Sequence, residues 1–106
     1  MVRTLVNRED QVQSAIQAVN NEIKVFQKRQ DKAVDDLRSV DQTNREFFEA
    51  QTEGWRQSPN GDEWRRRWRL QIEVLEEEIS VTQMRLFGLN HELACLEIEW
   101  RQIRPI

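Results

Sequence analysis

The chain has 106 residues and a formal net charge of −3, with 33% charged and 8% aromatic residues, three glycines and one cysteine. That length allows one domain, the composition suits long helices better than a turn-rich sheet protein, and the acidic balance argues against a dedicated nucleic-acid binder. Cys95 has no partner for an internal disulfide, no apolar run approaches the roughly 20 residues that span a bilayer, and the start MVRTLVNRED lacks the apolar centre of a signal peptide, so the expectation is a cytoplasmic protein without membrane insertion.

The first helix is expected over about 7–53, after a frayed start at 1–6, with Asn7 as its cap and Asp10 three positions on. Its apolar stripe runs Val12, Ile16, Val19, Ile23, Phe26, Gln30, Ala33, Leu37, Val40, Asn44, Phe47 and Gln51, in alternating steps of four and three. That is the heptad spacing of a coiled-coil seam. Val6, Val34 and Phe48 flank it and widen the apolar face.

A turn is expected over about 54–61. Gly54 suits a helix end, Ser58-Pro59 offers a cap followed by proline at the first helical position, and Asn60 with Glu63 offers a capping box. The second helix follows over about 62–103. Its seam is longer: Trp68, Ile72, Leu75, Ile79, Thr82, Leu86, Leu89, Leu93, Leu96, Trp100 and Ile103, with Thr82 the one polar member. Each seam is the natural cover for the other. The fold predicted over 1–106 is therefore a single all-α domain, an antiparallel two-helix coiled-coil hairpin.

The loop centre and the polar seam residues select a register. Gln30 meets Thr82 in one layer, sparing each an apolar neighbour that would leave a polar group unpaired at about 1–3 kcal/mol. The same register pairs Val12 with Trp100, Phe26 with Leu86 and Leu37 with Leu75. It also brings Glu22 towards Glu92 and Arg29 towards Arg85, whereas the next register would bring Arg29 towards Glu92 and Asp36 towards Arg85. Exposed pairs contribute only about 0–1 kcal/mol, so the polar layer decides.

One hairpin cannot hide all the apolar surface. Leu70, Val74, Val81, Met84, Cys95 and Ile98 make a second stripe on the far side of the second helix. Gly88 lies within it, where glycine costs about 1 kcal/mol relative to alanine but admits another backbone. A helix apolar on two faces belongs in a bundle. The expectation is an oligomer face that builds a four-helix bundle or receives a partner helix.

Around the turn, Trp55, Arg56, Trp64, Arg65, Arg66, Arg67 and Arg69 form the candidate partner-binding tip, beside the seam residue Trp68. Arginines in the first turns of a helix oppose its dipole, offset in part by Asp62 and Glu63. Trp and Arg also concentrate in binding hot spots and can stack on bases or grip phosphates. The plain alternative is a solvated charged face.

His91 and Cys95 share a helix face but supply two ligands where a zinc site takes four, and successive residues Glu76, Glu77 and Glu78 point in different directions around a helix. No catalytic, cofactor or metal residues are assigned, and an enzyme is not expected. In size, Glu/Gln/Arg-rich composition and heptads over the whole chain, the sequence resembles the coiled-coil stalk proteins of type III secretion and flagellar export. That resemblance implies a soluble antiparallel hairpin that meets an ATPase ring; no shared motif accompanies it. A likeness to the small secreted WXG hairpins fails at its motif, because Arg56-Gln57 follows Trp55. Small phage and plasmid accessory proteins, among them RNA-binding four-helix dimers, share the architecture. The expected function is a non-enzymatic adaptor, stalk or chaperone that binds itself or a helical protein. The alternative is a small dimeric nucleic-acid-binding regulator using the tip.

Overall fold

The computed structural model describes the backbone of residues 2–103 and the side chains of residues 7–103. Helix α1 spans Val2–Glu49, a one-turn helix α2 spans Glu53–Arg56, and α3 spans Pro59–Ile103. The described residues contain no strand. Their contacts fall into two compact units, one formed by 2–28 with 82–103 and one by 29–81.

In the first unit, segments of α1 and α3 run antiparallel. Arg8 pairs with Glu99, and Glu22 accepts from Arg85 at 3.0 Å, so partner numbers fall on one segment as they rise on the other. Val12, Val19, Leu86 and Leu89 are buried between them, and Thr82 is fully buried as well. Five of these positions belong to the two heptad seams, which is why burial recurs at seven-residue intervals. Val6, expected to flank the seam, lies outside the described side chains.

The second unit is a helical hairpin. Ala33 is buried, while Leu37, Val40, Ile72, Leu75 and Ile79 are half-buried along its seam. Its polar seam residue Asn44 donates to Gln71 Oε1 at 3.1 Å and to its own turn's Val40 carbonyl at 2.8 Å. The indole N–H of Trp68 donates to Asp41 at 3.2 Å, so this half-buried seam tryptophan has its polar edge satisfied. Of the seam positions in both helices, Phe47 alone is exposed among the described residues.

Several boundaries differ from those expected. α1 starts at Val2, which leaves Asn7 inside the helix and exposed rather than capping it. The helix ends at Glu49, four residues early, and Gln51 Nε2 turns back to bond the Phe47 carbonyl at 3.1 Å. Gly54 does not stop a helix; it sits inside α2, whose cap is Thr52, accepting from Trp55 N at 3.2 Å. α3 begins at Pro59, so the proline holds the first helical position and Ser58 precedes it. The Ser58 hydroxyl donates to the Trp55 carbonyl and accepts from Gly61 N at 3.3 Å. Glu63 does not turn back to Asn60, because Arg66 and Arg67 occupy its carboxylate.

The flanking charges also differ from expectation. Glu22 and Arg29 do not meet like charges: Glu22 takes Arg85, and Arg29 binds Glu78 at 2.6 Å. Each observed partner lies one heptad from the residue expected beside it, and these exposed pairs contribute only about 0–1 kcal/mol each.

Candidate interaction surfaces

The turn brings five aromatic side chains of the second unit together. Phe47 stacks on Trp64 at 4.2 Å between ring centroids and meets Trp55 edge-on at 5.8 Å. Phe48 lies 6.3 Å from Trp55 and 6.4 Å from Trp68, and Trp55 lies 6.5 Å from Trp64. Trp55 and Trp64 are half-buried. Neither belongs to the heptad seams, yet they seal the hairpin end. The cause is local: α1 stops at Glu49, and the capped turn of α2 folds Trp55 back over Phe47 and Phe48. Such ring pairs add about 0.5–1.5 kcal/mol each beyond the area they bury.

The tip arginines are less free than their sequence suggests. Arg65 pairs with Asp62, Arg66 binds Glu63 through both Nε and Nη2, and Arg67 reaches the same carboxylate at 3.0 Å. The hydrogen bond from Arg66, and then that from Arg67, hold the Glu63 carboxyl down to about 2. Glu63 in turn raises the Arg66 guanidinium above its ordinary value. Arg65 also lies 5.6 Å over the Phe48 ring. Arg69 is exposed and makes no ion pair among the described residues. It borders an open groove of about 400 Å³ in which Arg65 and Arg69 stand among Asp41, Glu73 and Glu76. Arg56 Nε and Trp64 Nε1 are buried without a hydrogen-bond partner.

Each unit also carries exposed apolar residues on its own part of α3. In the second unit Leu70, Val74 and Val81 are exposed, Val74 at 66%. In the first unit Met84 is 72% exposed and Ile98 54%, with Gly88 and Cys95 also open to solvent. A Cβ added at Gly88 would touch nothing within 4 Å. Phe87 is the most exposed of these apolar residues, at 80%, and lies beside the stripe rather than in it. Heptad counting missed it because it stands one position before Gly88. An uncovered phenylalanine next to an apolar stripe is the signal that would have found it.

Cys95 Sγ lies 3.8 Å from His91 Nε2 on this face. Among the described residues, no three His, Cys, Asp or Glu side chains converge as a metal site would require. No helix of the described residues is long and apolar enough to cross a membrane. In comparisons with known proteins, no family model, curated protein or solved structure matches this chain.

Proposed function

We propose that this chain is a non-enzymatic coiled-coil interaction module, an adaptor, stalk or chaperone that associates with a helical partner through the outer face of α3. The observation that supports it is the uncovered apolar row on the first unit's part of α3, whose other face is already in use: Met84, Phe87 and Ile98 are all more than half exposed. Apolar rows of this kind mark contact surfaces for other proteins. Gly88→Arg tests the reading, since it adds a long charged side chain at an open position and leaves the seam alone. Sedimentation and partner recovery should both show association lost while circular dichroism is unchanged. Association equal to the parent's would overturn the assignment of this face.

A second reading draws on Arg65, Arg66, Arg67 and Arg69, which are all exposed at the tip. There the chain would be a small helical regulator that grips nucleic-acid phosphates, with Trp55, Arg56 and Trp64 behind the contact. Asp62 and Glu63 already answer three of these arginines, which favours the protein-binding reading. Recovery of bound material before and after nuclease treatment separates the two. A nuclease-resistant protein partner supports the first, and co-purifying nucleic acid the second.

A further inference from the structure

We infer that the occupant of the α3 face is a second copy of this chain, lying antiparallel across the segment from Met84 to Ile98 in one particular register. This rests on the reading of α3 as the association face and adds the partner and its geometry. Met84, Gly88, His91, Cys95 and Ile98 recur in steps of four and three on the exposed side of α3. That is a second coiled-coil seam, opposite the one already buried.

In an antiparallel pair of identical helices, Met84, His91 and Ile98 of one copy face Gly88 and Cys95 of the other. Four registers, one heptad apart, are open to this segment, and the last, Ile98 against Cys95, sets Glu92 against Glu99. The first sets Met84 against Gly88 and places Arg85 against Arg85 of the second copy. The third sets His91 against Cys95 and places Glu92 against Glu92 across the symmetry axis. Like charges face each other in all three, and that is unfavourable.

The second register has no such conflict. It sets Met84 against Cys95 and Gly88 against His91, so the missing glycine side chain makes room for the imidazole. Beside that seam, Arg85, whose Nη2 also holds Glu22 of its own chain, meets Glu92 of the second copy, and Phe87 lies over Ala94. The two-fold axis repeats every contact. Glu92 is exposed and makes no ion pair among the described residues. Phe87, the most exposed large apolar side chain described, gains a cover. Charge complementarity and the fate of Phe87 select the same register.

Cysteine cross-linking reads this register directly. Met84→Cys places a thiol opposite the native Cys95 of the second copy, while residues 84 and 95 of one chain stand about 16 Å apart along the helix. A disulfide needs Cα atoms within about 7 Å, so only the pair between copies can close. Under mild oxidation, Met84→Cys should give a disulfide-linked dimer on non-reducing gels. The parent, carrying Cys95 alone, and the double variant Met84→Cys/Cys95→Ser should not. Glu92→Arg sets arginine against Arg85 at two symmetric places and should weaken dimerisation at least about tenfold, with unchanged helicity.

Parent chains that cross-link through Cys95 as readily as Met84→Cys would overturn the antiparallel register and leave self-association standing. A monomer by sedimentation at tens of micromolar, with Gly88→Arg still losing a recovered protein partner, would overturn the second copy as occupant while sparing the association face.

Discussion

A Cβ atom at Gly61 would lie 2.3 Å from the carbonyl oxygen of Arg56 and 2.6 Å from that of Trp55. Both oxygens belong to backbone that cannot swing aside, so the start of α3 is pressed against the preceding turn at a spacing only glycine allows. Gly61→Ala should therefore cost about 1–3 kcal/mol, as overpacking does. Gly88→Ala, with nothing within 4 Å of its new methyl in a single chain, should gain about 0.5–1 kcal/mol from the helix interior when the chain is dilute enough to be monomeric. Urea titrations of the two variants should move in opposite directions.

Leu89→Asp should be far more damaging than Glu77→Ala. Leu89 is 0% exposed, so an aspartate there buries a carboxylate without a partner and costs several kcal/mol. Glu77 is exposed, where substitutions usually fall within about ±0.5 kcal/mol. Thermal melts of the two variants check the difference, and similar midpoints would contradict the seam assignment.

At the tip, Trp64 contributes through its stack on Phe47 and not through its indole nitrogen, which is buried without an acceptor. Trp64→Ala should lose about 2 kcal/mol or more as the half-buried ring leaves a gap. Trp64→Phe keeps a ring on Phe47 and removes the unpaired donor, so its loss should stay under about 1 kcal/mol. Denaturation followed by circular dichroism resolves the pair. Equal losses would show that the stack is not what the residue supplies.

Glu63 sets a pH dependence with a defined sign. Its carboxyl is held at about 2 in the folded chain against an ordinary value of 4.5. A carboxyl depressed by folding stabilises the fold above its ordinary value, and that contribution is lost as pH falls through the folded value. The parent should therefore melt above Glu63→Gln at neutral pH. The gap should close between pH 4.5 and about 2. A gap that is constant with pH would show that Arg66 and Arg67 do not hold this carboxylate in solution.

The two seams were legible in the sequence because a heptad repeat is a one-dimensional property: steps of four and three put residues on one helical face wherever the helix goes. Leu89, Val12 and Val19 are buried for that reason, and the exposure of Val74, Val81, Met84 and Ile98 follows from the same count carried to the opposite face. The tip was not legible in this way. Whether Trp55 and Trp64 point to solvent or onto Phe47 and Phe48 depends on where α1 stops and how Thr52 and Ser58 turn the chain, and no periodicity encodes that path. The ion pairs belong to the same class. Arg29 finds Glu78, and Arg85 finds Glu22, each one heptad from the residue expected beside it. Such choices turn on side-chain reach and backbone route in three dimensions, so only the tertiary structure decided them.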